Sequence, residues 1–159
     1  MKKQSKNKKH FDLINREGTG WFYSDIVKDH FFHPRNLLLK DPRRGEFDAV
    51  GIEGSMACGD IMKMWLKIEP KTERIKDAKW RTFGCASAIA ATSMYSVMLT
   101  ENGGLTIKQA LKIKPQDVIK RLGGLPSRKI HCSVLADLAF KKAINDYFRK
   151  TKQSDKIIK

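Results

Sequence analysis

Between Ile61 and Ile68 the chain alternates, with Met62, Met64, Leu66 and Ile68 on one face and Ile61, Lys63, Trp65 and Lys67 on the other. A period of two sends successive side chains to opposite faces of an extended backbone, so this stretch is expected to be a half-buried strand. Lys71 to Arg74 supplies a polar turn. Ile75 to Phe83 then returns with Ala78, Trp80 and Thr82 opposite Asp77, Lys79 and Arg81, which predicts an antiparallel hairpin. Upstream, Asp41 to Glu46 reads as turn material and Phe47 to Ser55 as a first strand, with Gly51 and Gly54 as irregular points.

Outside this region the period lengthens. Tyr23, Ile26, Val27 and Phe31 stand at helical spacing in Tyr23 to Phe32, a short amphipathic helix stopped by His33-Pro34. A helix is expected from Ala86 to about Leu99, another from Thr106 to Ile113 opened by a Thr106/Gln109 capping box, and a third from Pro115 to about Leu122. Gly123-Gly124-Leu125-Pro126 breaks that run. The last helix is expected from about Ser133 to Phe148, with Leu135, Leu138, Ala139, Ala143 and Tyr147 or Phe148 facing inward. Strands first and helices afterwards predict an α+β fold, a small antiparallel sheet of about three strands with helices packed on one face. Thr82 to Thr100 has no charge and nearly bilayer-spanning length, but its small and hydroxylated residues predict a helix packed inside a domain, not a membrane span.

At 159 residues the chain suits one core. Its net charge of +15 is concentrated at the ends: Met1 to His10 has five Lys and no acid, and Lys141 to Lys159 has seven basic residues against two Asp. The expected organisation is a basic flexible extension over 1–20, a domain over 21–150 and a basic tail over 151–159. Such lysine runs are usually solvated, and without an RNA-binding motif or an aromatic stacking platform a nucleic-acid partner is not expected. Three cysteines with long spacings and no apolar leader give neither a disulfide framework nor a secretion signal, so a reducing cytoplasm is expected.

Each cysteine sits in a context suited to a metal-binding thiolate: Ala57-Cys58-Gly59-Asp60, Phe83-Gly84-Cys85-Ala86-Ser87 and Ile130-His131-Cys132-Ser133. In an extended segment Cys58 and Asp60 would point the same way and form a two-pronged clamp, with Gly59 leaving room for close approach. Cys85 and Cys132 each precede a helix, whose exposed N–H groups and positive dipole end favour a thiolate. His131 adds an imidazole that ligates when neutral. Thiolates select zinc or iron over magnesium and calcium. Three of them leave one position to an oxygen or nitrogen donor, which suits temporary custody of iron. A lone cysteine is more often a small core residue, so the case rests on the combination.

These residues resemble the iron-sulfur cluster assembly scaffold family, of the IscU and NifU N-terminal domain type. The likeness covers roughly Tyr23 to Phe148. It is carried by Tyr23-Ser24 through Asp29-His30 and Pro34-Arg35-Asn36, by Ala57 to Lys63, by Phe83 to Ala90, and by Gly123-Gly124-Leu125-Pro126 followed by Lys129 to Ala136. The resemblance implies a cluster site at one end of the fold, where Cys58, Cys85 and Cys132, with Asp60 and His131 as exchangeable partners, hold a transient 2Fe-2S cluster. That cluster would be built from iron and sulfur supplied by a cysteine desulfurase and passed to apo client proteins. The resemblance further implies Cys132 as persulfide acceptor, Asp60 as the residue that helps bind iron and keeps the cluster transferable, and a homo-oligomer through Tyr23.

His131 and the absence of a large insertion between the second and third cysteines match the Isc or Nif type more than the SufU type. The chaperone-binding stretch of relatives is altered here to Leu125-Pro126-Ser127-Arg128-Lys129, which weighs against a dedicated chaperone partner. Ala86 and Met56 replace a common glycine and a frequent proline. The expected function is therefore that of a non-enzymatic scaffold, and the alternative is a zinc-dependent, SufU-like sulfur-transfer protein using the same residues.

Overall fold

A computed structural model describes residues 23–56 and 59–159; the expected basic extension over 1–20 and Cys58 lie outside the described residues. A helix α1 (Asp25–Phe32) is followed by three strands, β1 (Ala49–Ser55), β2 (Asp60–Glu69) and β3 (Arg74–Phe83). Helices α2 (Ala86–Thr100), α3 (Ile107–Ala110), α4 (Pro115–Arg121) and α5 (His131–Lys150) come after them. The sheet is antiparallel in the order β1-β2-β3, and α2 and α5 pack on it, so the fold is the expected α+β arrangement. No helix among the described residues is long and apolar enough to cross a membrane.

The alternation in β2 has the expected effect on one face: Met62, Met64, Leu66 and Ile68 are buried against the helices. The other face differs from expectation at Trp65, which is buried at 5 % exposure. The 39–47 segment crosses this face, where Asp41 meets Arg81 at 2.9 Å and Lys63 at 3.9 Å. The two cations in turn lie over the indole, with Lys63 Nζ 4.8 Å and Arg81 Cζ 5.6 Å from the Trp65 ring centroid. In β3 the pairing with β2 skips Lys76, a bulge that reverses the side-chain parity and brings both Ile75 and Ala78 into the core.

Helix α2 is apolar or hydroxylated all round because it is surrounded, by α1, β3, α4 and α5. Its buried hydroxyls are satisfied locally or by neighbours: Thr92 donates to the Ala88 carbonyl, Ser96 to the Ser93 carbonyl, and Ser93 accepts from the Arg35 amide at 2.9 Å. His30 of α1 meets Ser93 Oγ at 2.7 Å, which locks α1 onto α2. Immediately after α1 the chain runs along the outer edge of β3, where Leu38 N–H donates to Trp80 O and Trp80 N–H to Asn36 O. That edge is covered.

Helix α5 begins two residues earlier than expected and buries a broader stripe: Leu135, Ala136, Ala139, Phe140, Ala143, Ile144, Tyr147 and Phe148. Leu138, expected inside, is 39 % exposed, because a helix wedged between β1 and α2 buries the 3.6-residue stripe through positions 136, 140 and 144 instead. The tail expected to be solvated folds back: Asn145 exchanges two hydrogen bonds with the Ile158 backbone, and Lys156 meets Glu73 at 2.7 Å. Ile157 and Ile158 supply apolar surface that the basic composition of the tail concealed.

The backbone of α5 lies directly against Gly51 of β1. A Cβ at residue 51 would stand 2.1 Å from Ala139 O and 2.4 Å from Ala143 N, both backbone atoms that cannot swing aside. Gly51→Ala should therefore lower stability by about 1–3 kcal/mol or more, the range of an overpacked core, seen as a reduced urea midpoint at unchanged m-value. A midpoint equal to wild type would mean that α5 does not lie this close to the sheet.

Candidate metal centre

Three chain segments end at one place. The β1–β2 hairpin turns through Gly59, whose φ is +71° and whose N–H donates to Ser55 O, and delivers Asp60 as the first residue of β2. The backbone there is turned, so the extended geometry expected to set Cys58 and Asp60 side by side is not the one adopted at Gly59; Cys58 itself lies outside the described residues. β3 runs out through Phe83 and Gly84 to Cys85, the N-cap of α2. Ser127–Lys129 forms one turn of 3₁₀ helix, after which Ile130 caps α5 and His131 and Cys132 are its first two residues.

The side chains meet. Cys85 Sγ and Cys132 Sγ are 3.5 Å apart, and each sulfur is 3.9 Å from Asp60 Oδ2. One donor atom from each of Asp60, His131 and Cys132 lies within 4.8 Å of the others. Asp60 is 4 % exposed, Cys132 is fully buried, Cys85 is half-buried and His131 is exposed, so the cluster opens to solvent on its histidine side. Gly84 makes room for it: a Cβ there would sit 3.1 Å from the Asp60 carboxyl carbon and 3.1 Å from Ala88 Cβ.

The electrostatics follow from the packing. Burial and the Asp60 carboxylate both resist a thiolate at either cysteine, and two thiolates resist each other. The pair resolves this by sharing one proton. Cys132 keeps it and donates to Cys85, which holds Cys85 down at about 5; the Ala88 amide at the start of α2 and the charge of Lys129 act in the same direction. The same hydrogen bond, with burial and then the Cys85 thiolate, pushes the Cys132 thiol far up. Lys129 lowers both cysteines and was not singled out from the sequence. The available signal was its position three residues before Cys132.

Two sulfurs, an imidazole and a carboxylate make a soft-to-borderline donor set with the identity and number that suit a tetrahedral zinc or an iron site. The pocket is also short of positive charge. Three acidic groups crowd within 4 Å, and a divalent cation would relieve their repulsion more fully than the charge of Lys129. Around the opening the surface is apolar: Met56, Ile61 and Phe83 are exposed on the hairpin side, and Ile130, Val134 and Leu138 form an exposed i, i+4, i+8 stripe on the α5 side. Tyr23 reaches the same end, its hydroxyl 3.0 Å from Ser87 Oγ.

Comparison with known proteins agrees with this architecture. Residues 22–154 match the family model described as the NifU-like N terminal domain. The iron-sulfur cluster assembly scaffold protein IscU 1 of Archaeoglobus fulgidus is 48 % identical over 136 residues, spanning 85 % of this chain and 82 % of that protein. The iron-sulfur cluster assembly protein IscU of Plasmodium falciparum is 44 % identical over 144 residues, 91 % of this chain and 81 % of that one. The nitrogen fixation protein NifU of Nostoc is 40 % identical over 129 residues, 80 % of this chain but 42 % of its own length. Among solved structures, the N-terminal NifU-like protein of Brucella abortus shares the fold with a TM-score of 0.57 at 17 % identity, covering 80 % of this chain and 94 % of that one.

In metal-free protein, iodoacetamide labelling of Cys85, resolved from the other cysteines by peptide mass spectrometry, should show a thiolate midpoint near about 5, with the rate falling as the pH drops through it. Cys132→Ala removes the donor and should raise that midpoint by about one unit or more. A Cys85 profile centred on the ordinary thiol value of about 8.5 in both proteins would show that the two sulfurs do not share a proton.

Proposed function

The chain belongs to the NifU-like N-terminal domain family, and on that premise we propose that it is a non-enzymatic scaffold on which a transient 2Fe-2S cluster is assembled and from which it is passed to apoproteins. The observation that carries the reading is the convergence of Cys85, Cys132, Asp60 and His131 in a pocket whose own charges repel. Iron and sulfide are the cargo. Cys58, Cys85 and Cys132 are the proposed thiolate ligands, and Asp60 and His131 the weaker donors that make release easier than four thiolates would. The opening on the His131 side and its apolar rim support partners that are themselves proteins, a cysteine desulfurase supplying sulfur and clients taking the cluster.

Cys132 is the proposed acceptor of sulfane sulfur. Its thiolate would attack the outer sulfur of a desulfurase persulfide, forming a new S–S bond at Cys132 while the desulfurase cysteine leaves as a thiolate. Because Cys132 is fully buried and its proton is held tightly, this transfer requires its sulfur first to emerge from beneath its neighbours. Cytoplasmic location remains part of the proposal.

A second reading uses the same pocket for a single zinc ion in a sulfur-transfer protein of SufU type. It is favoured by the donors among the described residues, two sulfurs, one nitrogen and one oxygen, which without Cys58 already number the four that a tetrahedral zinc takes.

Two measurements separate these. Anaerobic reconstitution with iron, cysteine, a cysteine desulfurase and a thiol reductant that supplies the two electrons taking each sulfane sulfur to sulfide should give sulfur-to-iron charge-transfer absorption that is abolished in Cys58→Ser, Cys85→Ser and Cys132→Ser; unchanged colour and cluster yield in the three variants would remove the scaffold reading. Zinc titration of the reduced protein should give one ion per chain, with affinity lower by at least about tenfold in Asp60→Ala, Cys85→Ala and Cys132→Ala but not in Cys58→Ser. Faster desulfurase turnover with zinc bound and no cluster formed would favour the second reading.

A further inference from the structure

Among the described residues, backbone lies along one edge of the sheet and no further strand pairs with the other. The 36–38 segment lies along β3, whereas β1 is the outer strand on the other side. The Val50 N–H points outward and is taken by Asp146 of α5 at 2.9 Å, and the Gly54 N–H is taken by the Glu53 side chain. Antiparallel alternation directs the N–H of Ile52, midway between them, outward as well. Among the described residues no acceptor meets it. Ile52 is itself 50 % exposed.

Two hollows flank this edge and share Val50. On the α5 side a groove of about 360 Å³ is lined by Lys142 and Arg149, and on the loop side one of about 220 Å³ is lined by Arg43, Arg44, Lys63 and Lys150. The acids nearby are already engaged. Asp41 holds Arg81 and Lys63, Glu53 holds Lys142, Asp146 holds Lys150 and the Val50 amide, and Glu46 accepts from the Arg43 backbone. The guanidinium groups of Arg43, Arg44 and Arg149 have no carboxylate partner among the described residues.

We propose that the β1 edge is a docking site for an extended acidic segment of a partner protein, which adds a strand to the sheet. Side chains of an added strand alternate between faces, so carboxylates at successive positions would meet Arg149 and Lys142 on one side and Arg43 and Arg44 on the other. Arginine suits this role because its planar fork pairs with a carboxylate through two hydrogen bonds. Charge sets aside two other occupants. A second copy would bring the same cations to the edge, and the 1–10 segment of this chain has five Lys and no acid. Along β1, at roughly 3.3 Å per residue, Val50 between the two hollows lies about 17 Å and Ile52 about 10 Å from Ser55, the residue paired with Asp60, so the cationic hollows are set apart from the cysteine pocket and the proposal does not rest on the cluster assignment.

The test is nuclear magnetic resonance on the full ¹⁵N-labelled chain, titrated with a 12-residue peptide in which pairs of adjacent Glu alternate with Val-Thr pairs, so that carboxylates stand on both faces of the strand. The amides of Val50 to Gly54 should shift, the Ile52 amide should exchange with solvent more slowly, and binding should weaken at high salt. A triple variant, Arg43→Ala with Arg44→Ala and Arg149→Ala, should bind at least tenfold more weakly while its spectrum elsewhere stays that of the folded protein. A peptide of equal charge with proline at alternate positions cannot complete the ladder and should bind at least tenfold more weakly to the wild type. Absence of shifts in β1 would overturn the proposal, and so would equal binding by the proline peptide, which would mean diffuse charge attraction alone. Tighter binding of a 12-residue oligothymidylate to the same amides would reassign the edge to nucleic acid, and β1 shifts that grow with protein concentration alone would reassign it to self-association.

Discussion

Two sulfurs and a carboxylate packed within 4 Å of one another, in a pocket where water is scarce, are the interaction on which the reading of this protein depends. Such a group is unfavourable by itself, since each anion raises the cost of forming the next. The fold tolerates it through a shared proton, the start of α2 and one nearby lysine. A surrounding structure stable enough to hold these acids together is what turns mutual repulsion into affinity for a cation.

That stability comes from the layer beneath. Tyr95 of α2 and Phe140 of α5 meet edge to face, with centroids 5.7 Å apart, and both are almost wholly buried. Gly51 lets the α5 backbone lie directly on the sheet, and the hydroxyls of α2 tie it to α1 and the segment after it. The pocket thus sits at the ends of three rigid elements. Its donors are placed by helix starts and a strand start, and the adjustable parts are the hairpin turn before Asp60 and the short turn before His131. A site for passing cargo onward benefits from that combination of firm donors and movable borders.

Much of this was legible along the chain because it depends on local rules. The strict alternation of β2, the Thr106/Gln109 box and the proline opening α4 each gave an element where the structure has one. Apart from the local turn at Gly59 and the earlier start of α5, the readings that differed depended on neighbours distant in sequence. Trp65 looked outward by parity but is covered by a loop that crosses the sheet, and Leu138 looked inward by hydrophobicity but falls outside the stripe that α5 presents to β1 and α2. The C-terminal tail looked solvated by charge, yet Asn145 and the paired isoleucines hold it down.

The sequence by itself determined the family, the order of strands and helices, and which residue types were able to carry soft-metal chemistry, because motifs and periodicities are properties of neighbouring residues. Only the tertiary structure decided that Cys85 and Cys132, 47 positions apart, face each other at 3.5 Å, that one proton serves both, and that among the described residues one sheet edge takes no further strand and lies beside arginines without a carboxylate partner. Distances, burial and shared protons arise from the packing of segments that never meet along the chain, and no local pattern contains them.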